Sequence, residues 1–237
     1  MDKNKYLVGF IGLVIGFIIS FLLTTNYNKN NAPAAVTAQS PSMPGANQAG
    51  SAGNQQAQMA QVQAILEKAK NNPKDAEAQV QAAQVQYQIG KLKEATEYLQ
   101  KAYEIEPNNF GYAANLGLLY SDQKNYTESE KYFRRAVQIK PDEADVYVEL
   151  GATLIQRQPP EPDKAIQEIQ HALKINPKDA HALGHLVEAH ALNKDARGAE
   201  EALNNLKEAD PSNQRLAALQ SMVADLKAGK PVTIPKE

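Results

Sequence analysis

The chain has 237 residues, 43% hydrophobic and 22% charged, with a formal charge of −2; these are the proportions of one ordinary globular domain with appendages, with no room for a second catalytic domain. Residues 1–60 hold Lys3, Lys5 and Lys29 against Asp2, which leaves 22 bases and 26 acids in residues 61–237, a mildly acidic body that argues against nucleic acid as a partner. The absence of cysteine excludes a disulfide framework, a thiol nucleophile, a haem-attachment motif and a lipidated cysteine.

Tyr6 to Leu23 is an uncharged run of eighteen residues. As a helix it reaches about 27 Å, enough to cross a bilayer. Lys3, Lys5 and the amino terminus precede it and Lys29 alone follows closely, so the positive-inside rule predicts a cytoplasmic N-terminus and an extracytoplasmic, periplasmic remainder. A cleaved leader fits less well, because its apolar core would be shorter and the nearest A-x-A, Ala32-Pro33-Ala34, lies well past the apolar run. Gly12, Gly16 and Ser20 fall on one face of the span, a small-residue pattern that permits close approach of two such helices and hence a homodimer. Residues 1–25 are therefore read as the anchor.

Residues 26–60 shift to Asn, Ala, Gln, Pro, Ser and Gly with almost no charge and no apolar period, the composition of a disordered linker. Val62, Ile65, Leu66 and Ala69 then recur at helical spacing before Pro73, which predicts a capping helix over 61–72 at the start of a domain running to residue 230.

Beyond it a proline returns on a fixed count: Pro73, Pro107, Pro141, Pro177 and Pro211 are separated by 34, 34, 36 and 34 residues. With that proline at position 32 of a 34-residue unit, repeats run over 76–109, 110–143, 144–179 and 180–213. Position 20 reads Ala95, Ser129, Ala165, Ala199; position 24 reads Leu99, Phe133, Ile169, Leu203; position 27 reads Ala102, Ala136, Ala172, Leu206. Small residues fall where two helices must touch, and large apolar ones fill the space between them. The two extra residues of the third repeat fall in Gln158-Pro159-Pro160-Glu161-Pro162, at a turn, where an insertion leaves the stack intact. A last helix over 214–228 carries Leu216, Leu219, Val223 and Leu226 on one side, as the end of a stacked array requires, and 231–237 forms a tail.

Leu116-Gly117 with Tyr120, Leu150-Gly151 with Leu154, the position 20 and 24 columns and the recurring proline together resemble the tetratricopeptide repeat, W-x2-L-G-x2-Y, then A-x3-F, then P, at a period of 34. The resemblance covers residues 76–213 and lacks the Trp. It implies an all-α fold, an α-α superhelix of helix pairs. It also implies a concave groove lined by the first helix of each repeat, chiefly at positions 2, 5, 6, 9, 12 and 13. Carried onto this chain, the groove residues are Val80, Gln84, Tyr87, Asn115, Leu118, Asp122, Val148, Glu149, Ile155, His185 and Glu188. No Lys or Arg falls at these positions in the four repeats, so the cations that clamp a terminal carboxylate in chaperone-binding members are missing. The surface suits a protein or peptide partner with apolar anchors and a basic residue. Anchored proteins of this layout resemble accessory subunits of cytochrome c maturation and envelope chaperone-like factors.

No phosphate loop, HExxH, nucleophile elbow or EF-hand loop occurs, so neither an enzyme nor a cofactor is expected. His171, His181, His185 and His190 cluster within twenty residues. His181 and His185 are one helical turn apart with Glu188 continuing the face, which is metal-ligand spacing and motivates a second reading as a metal- or pH-responsive module. His190 stands in the column of Tyr120 and Leu154 and is expected to pack as an aromatic substitute.

Overall fold

The computed structural model describes the backbone of residues 49–234 and the side chains of residues 59–234. The apolar run at 6–23, its small-residue face and residues 26–48 of the linker lie outside these. Among the described residues no helix is long and apolar enough to cross a membrane. The described residues form ten helices and no strand: α1 (Ala49–Asn71), α2 (Ala76–Gln88), α3 (Leu92–Ile105), α4 (Phe110–Asp122), α5 (Tyr126–Ile139), α6 (Ala144–Gln156), α7 (Pro162–Ile175), α8 (Ala180–Leu192), α9 (Ala196–Ala209) and α10 (Leu216–Lys227).

The first helices α2, α4, α6 and α8 start at position 1 of the 34-residue count, for a local reason. The proline at position 32 cannot continue the preceding helix, and the residue two places on is suited to cap the next one. Asp75 accepts from the Ala78 amide at 3.1 Å, Asn109 from Tyr112 at 3.3 Å, and Asp179 from His181 and Ala182 at 2.9 and 3.0 Å. The turn inside each repeat needs a left-handed residue at position 15, supplied by Gly90 (φ 77°), Lys124 (φ 58°) and Lys194 (φ 59°). In the third repeat the proline-rich insertion replaces that turn, and Arg157 there bridges Glu130 at 2.8 Å and also pairs with Glu161.

Helix α1 begins at Ala49, not at Gln61, so the stretch 49–60 read as linker is helical. Its Ala and Gln content explains this, since neither residue opposes a helix and no Pro interrupts the run. The helix is tied to α2 where Ala69 is buried and Gln79 of α2 donates to the Ala69 and Asn72 carbonyls at 2.7 and 3.2 Å.

The second and third repeats close on a side-chain-free spot, where the first carries Ala83 and the fourth Val187. A Cβ on Gly117 would lie 2.6 Å from the Phe133 ring, and one on Gly151 would collide with Ile169. Ala136, Ala165, Ala172 and Ala199 are fully buried on the partner helices. Successive first helices also touch, α4 with α6, α6 with α8 and α8 with α10, and form the inner wall of the superhelix, while the second helices fan outward.

Replacing Ala136 by Leu is expected to lower stability by about 1–3 kcal/mol through overpacking. Lys131→Ala, at a 63% exposed side chain, should stay within about 0.5 kcal/mol. Urea unfolding followed by far-UV circular dichroism distinguishes them, and equal effects would mean that the repeat register is misplaced.

Candidate functional site

The inner wall divides the sequence-derived groove residues into three groups. Leu118 on α4 is 42% exposed, with Asn115 one turn before it half-buried and Asp122 one turn after it exposed. Val80, Gln84 and Tyr87 on α2 are half-buried, as is Glu149 on α6. Val148 and Ile155, chosen as apolar anchors, are instead core residues, 1% and 4% exposed. They occupy positions 5 and 12, which in the third repeat face the neighbouring first helices. The contact of α6 with α8 leaves them almost no exposed surface. They cannot meet a partner in this fold.

Tyr87 and Asp122 fasten α2 to α4, the phenolic hydroxyl donating to Asp122 Oδ2 at 3.2 Å. Burial raises the Asp122 carboxyl above its ordinary range, partly offset by the bond from Tyr87. The Asp122 residue is exposed by area, so the raised value reflects a carboxyl lying against the Tyr87 side rather than a core group. The Tyr87 hydroxyl is raised in turn, by burial first and then by the Asp122 charge.

At the other end of the wall His185 and Glu188 are buried, 2% and 1% exposed. Glu188 Oε1 is held by Arg215 Nη2, Glu188 Oε2 lies 2.8 Å from His185 Nδ1, and His185 Nε2 lies 3.0 Å from Nε2 of the exposed His181. A carboxylate can only accept, so Nδ1 of His185 is the donor to Glu188. The buried carboxylate is thereby satisfied at both oxygens, as a buried charge requires.

The metal reading is corrected by this geometry. His181, His185 and Glu188 do not converge on one point, because the carboxylate takes the far nitrogen of His185. Among the described residues no group of three or more His, Asp or Glu side chains could hold a metal ion. His171 lies on α7, its ring 4.2 Å from that of Tyr147, and is not part of this group.

Arg215 escaped the sequence reading although a signal existed. Counting on past Pro211 makes Gln214 position 1 of a further unit and Arg215 position 2, one of the groove columns. Gly184 makes room for it, since a Cβ there would stand 3.3 Å from Arg215 Nη1. The wall therefore ends in a cation already neutralised by Glu188.

Models of the tetratricopeptide repeat match residues 76–109, 114–143 and 161–223. The chain belongs to the tetratricopeptide repeat family. No matched model is of a catalytic family. The search of curated proteins gave no match. Among solved structures, a crystal structure of MamA superposes with a TM-score of 0.59 at 20% identity, covering 63% of this chain and 86% of that one. MamA from Desulfovibrio magneticus RS-1, residues 41 to the end, gives 0.59 at 21%, covering 65% and 85%. YrrB, described as a TPR protein with an unusual peptide-binding site, gives 0.57 at 20%, covering 70% and 85%. At such identities the likeness carries the TPR fold alone.

The Asp122 carboxyl supplies a test of the wall. A raised folded-state pKa means that the fold binds this proton more tightly than the unfolded chain does. Its contribution to stability therefore grows as pH falls from the raised value to the ordinary Asp value and stays constant below it. Carbon-detected NMR titration of Asp122 is expected to give a midpoint above that of an ordinary Asp. Tyr87→Phe keeps the ring, removes the bond to the carboxylate and should move the midpoint further up. A midpoint that falls in this variant would mean that the hydroxyl, not burial, raises it.

Proposed function

We propose that this protein is a membrane-tethered scaffold that holds a partner protein or peptide on the inner wall of its TPR array, in the assembly of cell-envelope complexes. The observation that carries the reading is Leu118. A large apolar side chain stands 42% exposed on that wall, and Asn115 and Asp122 flank it at one-turn spacing. An apolar anchor with polar groups on either side is the arrangement of an interface hot spot. The partner places an apolar side chain on Leu118, hydrogen-bonds its backbone to Asn115 and turns a basic group toward Asp122. The description of YrrB as peptide-binding supports the same use of a related fold.

Capture from detergent-solubilised membranes tests this. Leu118→Ser with Asn115→Ala is expected to weaken partner binding about 30-fold or more, the loss of a hot spot of roughly 2 kcal/mol, with helical content unchanged. Lys131→Ala with Gln138→Ala, on the outward helix α5, should bind normally. If the outward pair loses the partner and the Leu118 variant keeps it, the inner wall is not the binding face.

The tether rests on the uncharged run at 6–23 and on Lys3 and Lys5 before it. We place the N-terminus in the cytoplasm and the TPR array outside it. Protease added to intact spheroplasts should then digest residues 61–237. Full protection of the array, or recovery of a soluble protein starting near Ala35, would overturn the topology.

A further inference from the structure

Comparing the same columns in successive repeats exposes a vacancy on the outward side of the array. In the second repeat Tyr132 stacks on Tyr120, ring centroids 5.5 Å apart and planes within 8°, and meets the edge of Tyr103 at 5.5 Å. Gln100 of the preceding repeat donates to the Tyr120 hydroxyl at 2.6 Å. The third repeat fills the equivalent space differently: Leu154 is fully buried and Glu168 pairs with Arg134 at 3.0 Å. In the fourth repeat the columns read His190 for Tyr120, Ala202 for Tyr132 and Gly198 for Glu128. Three side chains have shrunk at one place. What results is a pocket of about 290 Å³ between α7 and α9, with Leu186 and His190 of α8 in its wall.

The pocket is held open. His190 Nδ1 lies 2.8 Å from Asp195 Oδ2, and Asp195 also accepts from the Gly198 amide at 2.9 Å as the cap of α9. A Cβ on Gly198 would collide with both His190 and Asp195, so the imidazole keeps its place only because residue 198 is glycine. Gln170 lines the opening from the column in which Gln100 donates to Tyr120. His190 offers no hydroxyl to receive it. The volume is at the small end for a ligand site and suits one ring rather than an extended molecule.

We propose that this pocket receives a tyrosine side chain presented by a partner polypeptide, seated where Tyr132 sits in the second repeat. The ring stacks on the His190 imidazole, in the offset or edge arrangement that aromatic pairs favour. Its hydroxyl meets the polar rim of the pocket, where Gln170 stands. Arg197, Glu201 and Asn205 at the pocket supply hydrogen bonds to the backbone that presents the ring. Tyrosine suits such a site, as it brings a large rigid contact at low entropic cost and a polar tip. The proposal does not depend on the inner-wall reading, since Leu118, Asn115 and Asp122 take no part in this pocket.

The test is NMR titration of the full-length protein in detergent micelles, labelled at histidine rings and at alanine and leucine methyls, with N-acetyltyrosinamide as the probe. Saturable shifts confined to His190, Ala202 and Leu186 are expected, with Kd of about 1 mM. The phenylalanine analogue should bind at least about threefold more weakly and the alanine analogue should leave these signals unmoved. Ala202→Tyr puts a ring into the pocket from the chain itself and should weaken the probe at least about tenfold. If that variant does not fold, the wild-type shifts and the analogue series decide alone. The proposal is overturned by non-saturating or scattered shifts, by equal binding of either analogue, or by unchanged binding in a folded Ala202→Tyr protein.

Discussion

The contact between a side-chain-free site on one helix and a large side chain on its partner supports everything else in this array. Gly117 beneath the Phe133 ring and Gly151 beneath Ile169 bring the two helices of a repeat so close that Leu116 and Ala136, and Leu150 and Ala172, are fully buried. Since each repeat contacts little beyond its neighbours, stability is a sum of such contacts and of the interfaces between units. The fourth repeat departs from the rule. Gly184 and Gly198 serve other purposes there, one making room for Arg215 and the other for His190. The functional departures gather where the packing rule relaxes.

The buried charges of that repeat illustrate the balance. Glu188 stands in the position 9 column, where the other repeats carry Gln84, Leu118 and Ala152. A carboxylate so placed is costly unless paired and fully hydrogen-bonded. The pairing comes from both sides: Arg215 arrives from α10 and His185 from the same helix, with His181 completing the line at the surface. The terminal helix is thereby fixed in register as well as by apolar contact. Specificity of docking is the better-supported use of such a pair, as its net stabilisation is small once desolvation is counted.

Repeat boundaries were legible because they are written in local chemistry. A proline that stops one helix and, in three of the four repeats, an Asp or Asn that caps the next do not depend on distant parts of the chain, and the first helices start at Ala76, Phe110, Ala144 and Ala180 in step with that count. The inner wall was legible only in part. Column position identified Leu118 as outward to solvent but also named Val148 and Ile155, whose burial depends on how the neighbouring first helices pack, information held in another repeat. Helix α1 was read too short because a segment without apolar period carries no packing signal, although its residues favour a helix. Arg215 was missed because the count stopped at the last proline.

The outward side shows how a repeat array acquires a site without changing its fold. At position 23 the chain carries Tyr132, then Glu168, then Ala202, and each is compatible with the same helix packing because that column faces away from the Gly and Ala contacts. Tyr132 completes an aromatic group, Glu168 completes an ion pair with Arg134, and Ala202 completes neither. Ordinary relaxation would close such a gap by tilting α9 toward α7. The His190–Asp195 pair and the cap on α9 oppose that movement, because they tie the turn between α8 and α9 to the start of α9. A pocket that persists because polar groups fix its frame differs from a packing defect, which the surrounding side chains partly fill. The vacancy in the fourth repeat has the first character, and this is the physical reason to regard it as a site.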